Sequence, residues 1–480
     1  MLAAMPPTPP TTPNQGEPLI RDRGDACPGA LRLHPADDGR LARLRLPAGL
    51  LTAHQVAVLA AAAETLGDGR VSVTSRGNVE LRGLAEGCGA ELGGLLTDAG
   101  LLPSTTHERV RNVVASPAAG LDGRGGLGGG DVQLWARELD GLLCAEDWTA
   151  ALSGRFLFAL DDGRGDVAGL GGDVTLIAGG SSAAGCALLR VGSQTFRVAG
   201  PDAPRAALAA ADAFLTAARA AGNGAWRVRE LPEGTEPDLA EALRRAGVAA
   251  EAVGTRTADP RTVTPGPGGT GRTPADARTP AESARTPAES TQTPAEGATH
   301  APVPVGTSAG PPPGVIGQDG RWAVSVAVPL GRLTSGQLRA LTPAPGGEVR
   351  LTPWRGAVVT GFPDRAAAEE RLAELAAHGL ITDPRSPWLG VGACTGRPGC
   401  AKSLADVRAD AVPGLPKGPV LPALPVHFSG CERRCGHPHG AWVDVVATAD
   451  GHYLVDGRPT PRTDLPDAVA AARTPSATTR

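Results

Sequence analysis

Two stretches of this chain carry one pattern. The first, LARLRLPAGLLTAHQVAVLAAAAETLG at 41–67, leads into VSVTSRGNVELRGL at 71–84; the second, WAVSVAVPLGRLTSGQLRAL at 322–341, leads into VRLTPWRGAVVTGF at 349–362. Each reads as a strand, a Gly-x-Leu-Thr helix start, a helix and a further strand. Thr52 and Thr334 fall at the two helix starts, where a hydroxyl can accept from free backbone N–H groups. Arg76 and Arg355 are expected at matching positions near the middle of the closing strands. A shared order of strand, cap, helix and strand predicts an internal duplication, with two βαβ-type halves paired about a pseudo-twofold axis.

Outward from these halves, 87–100 reads as helical, HERVRNVVASPAAG follows at 107–120, and GRFLFALDDGRGDV at 154–167 is a strand candidate. After the second half, RAAAEERLAELAAHG at 365–379 has the Leu and Ala spacing of an amphipathic helix. The expected class is therefore α+β, with mixed sheets covered by helices. Between the halves, Thr255 to Pro313 holds TPAD at Thr273 and TPAE at Thr279, Thr286 and Thr293. Such composition has no periodic apolar face, so it is expected to be a disordered linker. The predicted layout is a tail at 1–24, a first half-domain at 25–86, a first α/β lobe at 87–254, the linker at 255–313, a second half-domain at 314–380, a second lobe at 381–472 and a tail at 473–480.

The chain has 480 residues and is 41% hydrophobic, enough for two to four domains with real cores. Its formal charge is −4, which offers no global positive field for nucleic acid or an anionic membrane. Lys402 and Lys417 are its only lysines, so a local basic site must be built from arginine. No apolar run approaches the roughly 20 residues that span a bilayer. The opening MLAAMPPTPPTTPNQG lacks the regions of a secretory signal, and a cytoplasmic location is expected.

Of eight cysteines, Cys27, Cys88, Cys144 and Cys186 are scattered, and the sequence does not say whether they are more than buried small hydrophobes, while Cys394, Cys400, Cys431 and Cys435 crowd into one region. In a chain without a secretory signal, clustering points to metal rather than disulfides. ACTGRPGC separates the first pair by five residues, and CERRC separates the second by three. Structural zinc favours tighter spacing in each pair, whereas four thiolates also suit a cubane iron–sulfur cluster. Gly396, Pro398 and Gly399 would let the backbone wrap an inorganic core. His437 and His439 are possible additional ligands or a solvent-facing turn.

The paired cysteines, the duplicated halves and the motif RNVVASP together resemble the sulfite and nitrite reductase superfamily. Within it, CPGALRLHPADDGRLARLRLP, VTSRGNVELRGL, FALDDGRGDV, ACTGRPGC and HFSGCERRCGHP are most similar to the precorrin-3B synthase family. The resemblance covers nearly all of the chain outside the tails and linker. It implies a duplicated reductase-like architecture with two ferredoxin-like half-domains and two larger lobes. It further implies a 4Fe-4S cluster on Cys394, Cys400, Cys431 and Cys435, and a mononuclear non-haem iron whose ligands the sequence does not identify. His34, His54, His107, His427, His437 and His439 are the candidates for that iron.

By the same resemblance, Arg76 and Arg111 match arginines that face a tetrapyrrole and carry the catalytic and substrate-binding roles, with Asn112 beside them. Reductases of the superfamily carry Arg-Lys-Phe-Lys where this chain has GRFLF; Arg155 stands at the first lysine position and Leu157 at the second. Losing that cation favours a tetrapyrrole that is substrate over one that is cofactor. The implied activity is an oxygen-dependent monooxygenase of aerobic cobalamin biosynthesis, hydroxylating precorrin-3A at C-20 with lactone formation. Molecular oxygen and an electron donor, with an external reductant such as NADH, would be its other partners. A sirohaem-dependent nitrite or sulfite reductase and a non-catalytic iron–sulfur or zinc protein are the alternatives.

Overall fold

The computed structural model describes residue 25 and residues 27–123, 131–179, 185–253, 310–318, 320–414, 424–438 and 440–474. The expected 1–24 tail, residues 255–309 of the expected linker, His439 and residues 475–480 lie outside them. The last helix, Leu465–Arg473, reaches one residue into the expected C-terminal tail. Arg473 is buried there, its guanidinium donating to the carbonyls of Pro387, Leu389 and Leu424.

The duplication is present and its halves are interlocked. One five-stranded sheet runs His34–Ala36, Gly39–Leu44, Val79–Leu84, Arg70–Val73, Arg332–Thr334; the other runs Gly314–Gln318, Arg321–Ala327, Gly356–Phe362, Val349–Leu351, Leu50–Leu51. Each sheet is thus closed at one edge by a short strand from the other half. A single apolar core joins them, with Val56 and Leu59 of helix Ala53–Leu66 beside Leu338 and Leu341 of the second half. Both helix starts form the reciprocal capping arrangement. Thr52 and Thr334 each accept from the backbone of Gln55 and Gln337, whose side chains accept from the threonine N–H groups. Just ahead of each cap, Ala48 and Leu330 share a left-handed conformation, with φ of 55° and 50°.

The register corrects one expected equivalence. Val73 pairs with Val79 and Leu351 with Ala357, so the two turns are Thr74–Asn78 and Thr352–Gly356. In each, the threonine N–H donates to the carbonyl of the fifth residue, at 2.8 and 2.9 Å, and its hydroxyl accepts from that residue's N–H. Arg76 therefore sits in a turn, opposite Trp354; Arg355 occupies the place of Gly77. The two arginines are one position out of step, because an arginine before a glycine in both strands invites an alignment that the hydrogen bonds do not follow.

Each half-domain leads into a lobe, and the lobes share an order. Strands Val113–Ala115, Phe158–Asp161 and Val174–Ala178 are parallel and continue into antiparallel Cys186–Val191, Gln194–Ala199 and Ala250–Ala252. Strands Val391–Ala393, Val426–Ser429 and Val443–Ala447 are parallel and continue into antiparallel Tyr453–Val455 and Arg458–Thr460. Within 154–167 only Phe158–Asp161 is strand, and the following DGRGDV at 162–167 is loop. Helices Val132–Ala145 and Ala203–Ala221 bury apolar faces on the first lobe's core. Helix Arg365–Ala377 forms as expected but buries only Ala368 and Leu375 fully. The result is an α+β protein in which each lobe presents loops at the ends of three parallel strands.

Candidate functional site

The four clustered cysteines lie at those strand ends in the second lobe. Cys394 follows Val391–Ala393 directly, and Cys431 follows Val426–Ser429 by one residue. The N–H of Cys394 donates to the Phe428 carbonyl at 2.9 Å, and the Gly430 N–H donates to the Cys394 Sγ at 3.2 Å. The Cys435 thiol is pushed up, first by burial and then by Cys394, Cys431 and Cys400, which places all four within electrostatic reach of one another. Glycine is required at 430, where an added Cβ would lie 1.8 Å from the Ser403 hydroxyl. Cys435 is the exposed member; the other three are half-buried.

The donor set fits an iron–sulfur cluster better than one zinc. Zinc at about 2.3 Å from each sulfur draws its thiolates to within about 4 Å of each other. Among the described residues, the set of three or more carboxylate, imidazole or thiol donors lying within 4.8 Å of one another is Asp161, Asp162 and Asp166, not these cysteines. A cubane binds each thiolate to a different iron and tolerates the wider spacing. The surroundings are cationic, as a thiolate-bound cluster of net negative charge requires. Arg408 is held down to about 10 by burial, then by Arg332 and Arg355, while Cys394 favours its charged form. Among the described residues its guanidinium donates to the carbonyls of Leu330 and Ala393 alone.

The first half-domain holds this loop in place. Arg82 makes a two-pronged pair with Asp38, at 2.8 and 2.9 Å, and donates to the Gly399 carbonyl at 2.8 Å. Asp37 accepts from the Ala401 N–H at 2.5 Å. Sequence reasoning passed over these three residues. The signal available was the Asp37-Asp38-Gly39 turn, which sets two adjacent acids near a strand arginine, Asp38 pairing with Arg82 and Asp37 with the Ala401 N–H.

A second group gathers on the first half-domain and lobe. Arg76 makes no side-chain hydrogen bond or ion pair among the described residues; burial and Arg227 bring it down to about 10. Arg155 lies 4.8 Å over the Trp226 ring, and its charge favours the Cys27 thiolate. Arg45 donates to the carbonyls of Arg109 and Gly154 and is lowered to about 9 by burial and Arg43. Arg43 pairs with Glu80, and Arg227 with Asp173. Cys27 is packed among these cations, its thiol pushed up by burial and Asp25 and eased down by Arg45 and Arg155. Its role, open in the sequence, is thus more than that of a small buried hydrophobe.

Arg111 and Asn112 do not join this wall. Arg111 is buried in a two-pronged pair with Asp140, at 2.6 and 2.7 Å, and donates to the Leu101 carbonyl at 3.1 Å. Asn112 is fully buried, donating to the Phe156 carbonyl and accepting from Asn78, which in turn accepts from the Leu46 N–H. That amide chain ties the half-domain to the lobe. Leu157, at the missing second lysine, is buried in an apolar group with Val114, Ala159, Val167 and Leu170, against Trp354.

Of the candidate histidines, His427 and His437 both pack on the Trp442 ring, and the other described ones lie on separate elements. His34, His54 and His437 are exposed on separate elements. His107 is buried against Ser104 and the Glu146 carbonyl, and His427 against the Cys435 carbonyl at 3.0 Å. No set of two histidines and a carboxylate is gathered among the described residues, so the donors present do not fit a mononuclear iron of that type. The Asp161, Asp162 and Asp166 carboxylates are occupied by Ser116, Arg164 and backbone N–H groups. Beside the thiol loop is a cavity of about 150 Å³ whose walls include Ser75, Trp354, Arg355, Trp388 and His437.

Comparison with known proteins agrees with this architecture. The model of the Nitrite/Sulfite reductase ferredoxin-like half domain matches twice, at residues 34–87 and 316–377. A Precorrin-3B synthase of Sinorhizobium sp is 26% identical over 470 residues, 95% of this chain and 88% of that protein. The Sulfite reductase [NADPH] hemoprotein beta-component of Xylella fastidiosa (strain M23) is 31% identical over 162 residues, 29% of this chain and 28% of that protein. The Mycobacterium tuberculosis NirA protein shares the fold, with a TM-score of 0.63 at 19% identity, covering 92% of this chain and 82% of that one. The chain therefore carries the nitrite and sulfite reductase ferredoxin-like half-domain twice, with the edge strands of the two copies interlocked, and its likeness to a precorrin-3B synthase runs almost end to end.

Proposed function

We propose that the chain catalyses oxygen-dependent conversion of precorrin-3A to precorrin-3B, by hydroxylation at C-20 and lactone formation from a ring A acetate. The observation that carries this reading is the reach of the likeness: it spans 95% of the chain for the synthase and 29% for the sulfite reductase. In the net reaction one oxygen atom of O2 enters the substrate and the other leaves as water. An external reductant such as NADH supplies the two electrons. A 4Fe-4S cluster held by Cys394, Cys400, Cys431 and Cys435 supplies electrons singly when bound.

The arginines of this group support a polycarboxylate substrate. Arg76 is half-buried and makes no ion pair among the described residues; the Arg155 guanidinium lies 4.8 Å from the Trp226 ring centroid. Planar guanidiniums suit acetate and propionate groups spaced around a macrocycle. Leu157 leaves no second cation for a small oxyanion at its position. Arg155→Ala should raise KM roughly tenfold with little change in kcat, as expected for loss of uniform anchoring. Arg76→Ala should lower kcat as well, because it stands closer to the thiol-bearing lobe's cavity through Ser75. Steady-state oxygen uptake with precorrin-3A checks both; equal effects of the two changes on KM alone would remove Arg76 from the chemistry.

Purified protein with broad iron–sulfur absorption, oxygen consumption and lactone product supports the synthase. A haem-type Soret band with anaerobic turnover of nitrite or sulfite, and none of precorrin-3A, would establish the sirohaem reductase instead. A colourless zinc protein would sink both.

A further inference from the structure

Arg355 holds a conformation that its place in the turn reserves for glycine. Its φ is +57°, against +68° at Gly77 in the equivalent turn. Most side chains avoid this region, and residues that keep it do so where surrounding contacts over-determine them. In the first half no side chain fits, because a Cβ on Gly77 would lie 2.7 Å from the Leu351 carbonyl oxygen. In the second half the arginine runs through a passage that three glycines keep open. A Cβ on Gly331 would meet its Cδ at 2.3 Å, one on Gly392 its Nη1 at 2.6 Å, and one on Gly436 its Nη2 at 3.0 Å.

The passage ends at the cysteine loop. Arg355 Nη2 donates to the Gly436 carbonyl, and His427 Nε2 donates to the neighbouring Cys435 carbonyl at 3.0 Å. With its Nε2 proton so used, His427 keeps a bare Nδ1 that is buried and has no hydrogen-bond partner among the described residues. That nitrogen and Arg355 Nη1 both approach the same point above Gly392. Arg355 makes no ion pair among the described residues; Glu80 favours its charged form through space, and its guanidinium is spent on the cysteine loop's backbone. We infer that Arg355 is a positioning residue for Cys435: it crosses from the second half-domain to fix the carbonyl after the most exposed of the four thiols, and it brings a positive charge with no direct ion pair to the loop that holds those thiols.

This inference rests on the iron–sulfur reading of the four cysteines, and its test separates the two. Full-length wild type, R355G and R355K are purified with their clusters. The reduction potential, the rate of iron loss to a chelator, the electron paramagnetic resonance of the reduced cluster and the unfolding midpoint are then measured. Glycine relieves the backbone, so R355G should unfold no earlier than wild type. Its cluster should nonetheless have a more negative potential, because a cation that favours the reduced form is gone, and should lose iron at least threefold faster. R355K keeps the charge without the planar fork, so its potential should lie nearer wild type than that of R355G. An R355G cluster with wild-type potential and iron loss overturns the inference, whatever happens to the unfolding midpoint. A wild-type protein with no iron–sulfur signal overturns the reading beneath it.

Discussion

Serine in place of Cys394, Cys400, Cys431 or Cys435 should strip the iron–sulfur absorption and abolish turnover, while serine at Cys88 or Cys186 should leave both. A serine hydroxyl is a hard, weakly acidic donor that replaces a thiolate poorly on a soft iron–sulfur core. The four positions should not suffer equally in fold. Cys394 is packed against the second lobe's core and accepts from the Gly430 N–H. Cys435 is exposed and carries no such contact. Cys435→Ser should therefore keep a near-native unfolding midpoint while losing its colour. Absorption near the iron–sulfur bands and iron content per chain are the measurements. Colour retained by all four variants would remove the cluster from these cysteines.

Replacing Arg111 with alanine should cost about 3 kcal/mol of stability, the cost of leaving one member of a buried ion pair alone. Asp140 would lose both prongs of its partner, and the Leu101 carbonyl a charged donor. Lysine should recover only part, since an ammonium cannot give two parallel bonds to one carboxylate. Denaturant unfolding checks this. Activity at a temperature where the variant stays folded should fall far less than in Arg76→Ala. A variant with the wild-type unfolding midpoint and no turnover would return Arg111 to the substrate wall.

The contrast between Arg76 and Arg111 shows what a sequence can carry. Strand, cap and helix order in the two halves was legible because hydrophobic period and threonine caps are local properties. The cysteine spacing was legible because ligand geometry constrains short stretches of chain. Which arginine is free and which is paired was not. That depends on Asp140 of helix Val132–Ala145 meeting Arg111, and on the nearby Asp173 being taken by Arg227, not Arg76. The same limit applies to Arg355. Its register was misjudged by one residue, since a turn's hydrogen bonds, and not its letters, decide which position takes the left-handed conformation. Arg82 and Asp38 escaped notice because their target, the Gly399 carbonyl, is backbone from a distant part of the chain.

The exchange of edge strands sets an order on biosynthesis. When the first half emerges from the ribosome, Arg70–Val73 has no neighbour on one side, because Arg332–Thr334 has yet to be translated. Until then the nascent chain presents an open β edge of the kind that recruits other chains. The closing contacts are distant in sequence, so the last step of assembly is slow to find and exposed to misassociation while it is awaited. Both sheets are then completed together: the late half seals the early one with Arg332–Thr334 and receives Leu50–Leu51 in return.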